Sequence, residues 1–166
     1  MTLIVEDGSG VANANSYITL AEARSYAIQR GVTLSATDSA LEVDLIKSMD
    51  YLESQRSNYK GVKTSPTYAL QWPRYGVSID GTEIASNVIP VELKNAQAQL
   101  AMAIATGVDL LPTATGAAFV VSEKVGPIET KYAENVSTSG VPIVRAVDAL
   151  LAPLLRTGGA LATARA

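Results

Sequence analysis

Two residue types are missing from this chain altogether: it has no cysteine and no histidine. Without cysteine there is no disulfide framework and no thiolate metal site. Without histidine the commonest general acid/base and the commonest transition-metal ligand are gone, together with every Ser-His or Cys-His nucleophile. Carboxylate, lysine, tyrosine or Ser-Lys chemistry is what remains for catalysis. Charge is also scarce: 17% of residues are charged, against about 25% in ordinary soluble domains. Aromatic content is 5%. No basic head followed by an apolar run opens the chain, and no apolar stretch reaches the roughly 18 residues that a membrane span needs.

What is present is 48% hydrophobic residues with a net charge of −3 over 166 residues. That length suits one domain able to bury a core without covalent staples. The low polarity fits either a large core or a surface covered by other chains. An acidic balance argues against strong phosphate gripping by the molecule as a whole, while leaving room for a local basic patch.

The pattern predicts a mainly α fold: a small bundle of three main helices plus a short C-terminal helix, with an extended β-prone arm or hairpin. Residues 1–15 read as an N-terminal arm, broken by Asp7-Gly8-Ser9-Gly10. Glu6 to Gly10 lacks the further acidic ligands of a calcium loop and the Lys-Ser/Thr ending of a phosphate loop, so turn chemistry explains it. Residues 16–112 form the helical core. Thr19 to Glu22 fits a capping box, and Gly31 suits the helix end. Asp38 or Ser39 caps a second helix striped by Leu41, Leu45, Met49 and Leu52, widened by Ile46. Pro90 at the first helical position opens a third, with Leu93, Ala96, Leu100, Ala103 and Ile104 as its apolar face and alanines that admit a close neighbour. Between them, residues 54–89 form a long loop, mostly irregular, with a short helical turn at Tyr68 to Leu70. Residues 113–141 form a β-prone arm and linker. Residues 142–166 form a short helix (Val144, Val147, Leu151, Leu154), interrupted by Pro153, and a tail.

One stretch carries a chemical signal. Between Arg56 and Tyr75 the cations Lys60, Lys63 and Arg74 interleave with Tyr59, Tyr68 and Trp72, and no acid intervenes. Cations track a nucleic-acid backbone and rings stack its bases, so the stretch fits a single-stranded nucleic-acid module. The same rings equally fit a loop packed on the helices with its cations in water. No carboxylate pair has the spacing for acid/base work, and nothing in the sequence calls for a cofactor, a metal or a catalytic residue.

The order of several segments is similar to a known family: Val5 to Gly10, Ala14-Asn15-Ser16-Tyr17, Ala69 to Arg74, Val88-Ile89-Pro90, Ser122 to Glu129, and Asp148 to Leu151. Over roughly residues 3–155 it resembles the head–tail connector (adaptor, or head-completion) proteins of tailed bacteriophages. Related sequences also carry the label of DnaT-like single-stranded DNA-binding proteins. The resemblance implies a non-enzymatic virion protein at the head–tail junction, made in the host cytoplasm. It implies a ring of copies, commonly twelve, with a portal protein and a tail or tail-completion protein as partners, duplex DNA passing through the channel, and no membrane. On that reading Lys124, Val125, Gly126, Pro127, Ile128, Tyr132, Leu150, Leu151 and Leu154 contact neighbouring subunits or partners. Trp72 and Pro73 anchor the long loop, and Lys60, Lys63 and Arg74 face DNA or water.

Overall fold

The computed structural model describes residues 2–112, 122–125, 128–131 and 144–156. Four α-helices follow in chain order: α1 (Leu20–Ile28), α2 (Asp38–Ser54), α3 (Val91–Ala105) and α4 (Arg145–Leu151). The capping box of α1 is complete. Thr19 Oγ1 accepts from Glu22 N at 3.1 Å, and Glu22 Oε2 accepts from Thr19 N at 2.7 Å. Helix α2 starts one residue earlier than its expected caps. Thr37 supplies the capping hydroxyl to Ala40 N at 3.4 Å. Asp38 then lies in the first turn, where its charge suits the helix dipole, and pairs with Arg24 at 2.7 Å. Pro90 is the cap residue of α3, one place before the expected position. At α4, Pro153 brings no N–H and the helix tightens into a 3-10 turn over Ala152–Leu154.

Helices α2 and α3 form the spine, and each serves two apolar clusters. One end of α2, with Leu41 and Leu45, meets Ala23 and Ala27 of α1 and Ala98, Ala101 and Met102 of α3. The other end, with Met49 and Leu52, meets Leu93, Ala96 and Leu100 of α3, Val147, Leu151 and Leu154, and the rings of Tyr17, Tyr59 and Trp72. The small alanines of α3 let α1 and α2 approach closely, as their placement suggested. Gln97 is fully buried between the clusters and is satisfied there. Its amide nitrogen donates to Ser16 Oγ at 2.9 Å and Leu45 O at 3.2 Å, and its oxygen accepts from Tyr17 N at 2.9 Å.

The mainly α reading needs correction: the fold is helix-rich but mixed. The expected irregular loop contains four short strands, β1 (Val62–Lys63), β2 (Arg74–Tyr75), β3 (Ser78–Ile79) and β4 (Thr82–Glu83). They pair antiparallel as β1 with β2 and β3 with β4. Asp80 and Gly81 both take positive φ, +50° and +81°, at the tip of the second pair. Tyr68 to Leu70 form bends, not a helical turn. In the β-prone segment, β5 (Ser122–Val125) pairs antiparallel with β6 (Ile128–Lys131), from Ser122 opposite Lys131 to Val125 opposite Ile128. Gly126, Pro127, Tyr132, the linker 134–141 and the tail from 157 lie outside the described residues.

The N-terminal segment folds onto the body. Val5 bridges Ser16, and Glu6 N donates to Ser16 O at 2.8 Å. Glu6 is fully buried, its Oε1 accepting from Gly8 N at 2.8 Å and Gly10 N at 2.9 Å. Gly8 has φ +106°, and a Cβ there would lie 1.9 Å from Asn87 O. Only glycine lets this turn close against the segment leading into α3.

Candidate nucleic-acid interface

Residues 54–89 lie against the body because one carboxylate gathers three segments. Glu53, at the end of α2, accepts from Gln71 N at 3.0 Å and from the Tyr17 hydroxyl at 3.3 Å. The Tyr17 hydroxyl in turn accepts from Trp72 N at 3.1 Å. Burial raises the Glu53 carboxyl above the usual carboxylate range, while its hydrogen bonds and Lys63 pull the other way. Burial likewise raises the Tyr17 phenol well above its ordinary value. Trp72 is fully buried, edge-on to Tyr59 with ring centroids 5.8 Å apart, and Pro73 is buried beside it. The two rings best suited to stacking bases are therefore core residues.

The cations of this stretch are spent largely on the backbone. Arg74 is 5% exposed, and its guanidinium donates to Lys60 O at 2.7 Å, Gly61 O at 3.0 Å and Gln71 O at 3.4 Å. It also lies 5.8 Å over the Tyr59 ring. A buried guanidinium on three carbonyls is a strut, so Arg74 does not face DNA. Lys63 Nζ donates to Tyr68 O at 2.6 Å, and Lys60 Nζ to Pro153 O at 2.8 Å. Both lysines are half-buried. A loop with few ladder partners leaves carbonyls unmatched, and these cations satisfy them.

The Lys60 contact reveals a partner that sequence reasoning missed. The segment after α4 runs antiparallel along residues 58–60: Tyr59 bridges Leu155, Lys60 N donates to Leu154 O at 2.9 Å, and Arg156 N donates to Asn58 O at 2.8 Å. Arg156 is exposed and close enough to Arg74 to help burial lower the Arg74 pKa. Arg56, exposed, stands two residues before Asn58. Arg56 precedes this seam by two residues, Lys60 and Arg156 lie on its two sides, and Lys63 follows on β1, near the half-buried Glu53. Tyr75, 50% exposed, follows Arg74 on β2, opposite Val62 at 53%. No local motif marks Arg156, because only long-range pairing brings it here.

Other expected contact residues fall elsewhere. Leu151 and Leu154 are buried in the chain's own core, and Leu150 packs half-buried against it, so these leucines hold α4 down. Lys124, Val125 and Ile128 lie on the β5–β6 ribbon, a two-stranded pair with no third strand among the described residues. Among those residues no group of three carboxylates gathers as a metal site, and no helix is long and apolar enough to cross a membrane.

The whole chain, residues 1–166, matches the family described as "Putative DnaT-like ssDNA binding protein", and the chain belongs to that family. No curated protein and no solved structure matches it.

Proposed function

We propose that this protein binds single-stranded nucleic acid through the edge formed by Arg56, Lys60, Lys63 and Arg156, with Tyr75 as an exposed ring beside it. The observation that carries the reading is the joining of residues 58–60 to 154–156, which brings Arg156 alongside the basic stretch that begins at Arg56. A lysine or arginine lying on a carbonyl keeps its full charge, so the edge still attracts phosphate. The family description points the same way. With four cations engaged, log K falls with log salt at a slope of about −3. Fluorescence anisotropy of a labelled single-stranded oligonucleotide across a salt series measures it. Arg56→Ala with Arg156→Ala is expected to weaken binding and flatten the slope by about 1.4. Binding no tighter than that of an unrelated acidic protein, or a slope unmoved by the double substitution, would overturn the reading.

A second reading is the adaptor ring between the portal and tail of a phage, with duplex DNA passing through it. The β5–β6 ribbon favours it, since its outer edges are unpaired among the described residues and suit strand addition to a neighbour. The charge-poor composition suits flanks covered by other copies. Native mass spectrometry, alone and with a portal protein, separates the two. A ring-sized assembly supports the adaptor, and a monomer that never binds portal removes it.

A further inference from the structure

The chain holds two Asp-Gly pairs, Asp7-Gly8 and Asp80-Gly81. Both aspartates are exposed, yet the fold treats the two pairs differently. At the first, the Gly8 N–H donates to Glu6 Oε1 at 2.8 Å, and Asp7 Oδ1 accepts from Ser9 N at 2.9 Å. Gly8 is buried against Asn87, and hydrogen bonds from Ser9 hold the Asp7 carboxyl below its ordinary pKa. At the second pair, no hydrogen bond reaches the Asp80 carboxyl or leaves the Gly81 N–H among the described residues. Both residues stand at the exposed two-residue tip between β3 and β4. Beyond its chain neighbours, no atom lies within 4 Å of where a Gly81 Cβ would stand.

We propose that Asp80-Gly81 is a site of spontaneous backbone modification, converting to isoaspartate in the folded protein, and that the fold protects Asp7-Gly8 from the same reaction. The Gly81 nitrogen attacks Asp80 Cγ and forms the new C–N bond of a succinimide ring. The nitrogen gives up its proton and the carboxyl its hydroxyl, and the two leave as one water. Water then adds back at either ring carbonyl. Breaking the bond to Cγ restores aspartate. Breaking the bond to the main-chain carbonyl carbon leaves the chain running through Cβ and Cγ, with no oxidant or other reactant needed. The attack requires the peptide plane to turn towards the side chain, and a glycine nitrogen carries no neighbouring Cβ to hinder it. Nothing packed on the Asp80-Gly81 tip opposes that turn. At Gly8 the same rotation would break the bond to Glu6, and a carboxylate held ionised is the poorer electrophile. The product keeps its charge but lengthens the turn by one carbon, so Ile79 and Thr82 lose their pairing register. Strand β3 packs against the 3-10 turn Ala152–Leu154, so the loosened hairpin adjoins the segment that leads to Arg156.

The test incubates the full native chain in warm, mildly acidic buffer and follows its tryptic peptides by chromatography and mass spectrometry. Asp80 is the only aspartate of peptide 75–94, and Asp7 the only one of peptide 1–24. Peptide 75–94 is expected to split with time into two species of equal mass. The new species should resist endoproteinase Asp-N and accept a methyl group from an isoaspartate-specific carboxyl methyltransferase. Peptide 1–24 should convert several-fold more slowly. In denaturant the two pairs should convert at similar rates, because the protection of Asp7 comes from the fold. Gly81→Ala is expected to slow conversion several-fold, with circular dichroism checking that the fold persists. Should that variant unfold, Asp80→Glu, whose longer side chain cannot close the same ring, is expected to abolish conversion of the peptide. A peptide 75–94 that stays single in the folded protein, or a second species that survives Asp80→Glu, overturns the site. Asp7 converting as fast as Asp80 in the folded chain, or staying intact in denaturant, overturns the protection assigned to the Glu6 turn.

Discussion

At the scale of single residues, Trp72 and Glu53 carry more than their neighbours. Trp72 is fully buried, and its indole N–H has no partner among the described residues. Its value is therefore volume and apolar contact. Trp72→Ala is expected to cost about 3–5 kcal/mol in chemical denaturation. A binding defect in that variant would report unfolding, so the informative aromatic substitution is Tyr75→Ala, which leaves the core intact. Glu53 shows the opposite economy. Its folded pKa is raised, so the stability it contributes is fully present below its unfolded pKa and is lost as pH rises through the folded value. Glu53→Gln keeps an acceptor oxygen for Gln71 N and the Tyr17 hydroxyl but removes the buried charge. Its melting temperature at neutral pH is expected to equal or exceed that of the parent, with the advantage vanishing in acid. Glu53→Ala leaves the Gln71 amide and the Tyr17 hydroxyl without their acceptor and should lose about 1–3 kcal/mol.

Among the elements, the helices were the legible part and the short strands were not. Leu41, Leu45, Met49 and Leu52 recur at spacings of four and three, and all four are buried. Thr19 and Glu22 stand at the spacing that a capping box requires, and both bonds form. Helix α1 has nine residues and depends on that box, so Thr19→Ala should cost about 1 kcal/mol, measurable by thermal melting. Strands of two residues cannot display alternation, which hid β1 to β4. Only Asp80-Gly81 advertised a hairpin, through a dipeptide that tolerates positive φ. The candidate site was half legible for a similar reason. The basic and aromatic stretch could be seen locally. Which cations would be drawn onto loop carbonyls, and that Arg156 would join them, depended on contacts between distant segments.

For the whole molecule, the shared spine decides how it comes apart. Because α2 and α3 each contribute to both apolar clusters, neither cluster can melt while the other stays whole. Fluorescence of Trp72, which reports one cluster, and far-ultraviolet circular dichroism, which reports all helices, should give coincident denaturation curves. Separated transitions would show that the clusters fold independently.

The Lys60 ammonium and the Pro153 carbonyl it holds are 93 positions apart in the chain. Closing so long a loop carries a large entropic cost before the contact gives anything back. The seam between residues 58–60 and 154–156 therefore forms late, after the spine is in place, and substitutions there should speed unfolding more than they slow folding. In native-state hydrogen exchange the amides of Lys60 and Arg156 should open before those of α2 and α3. The charged edge would then come and go without loss of the fold, and the time it spends closed would limit how long a bound strand is retained.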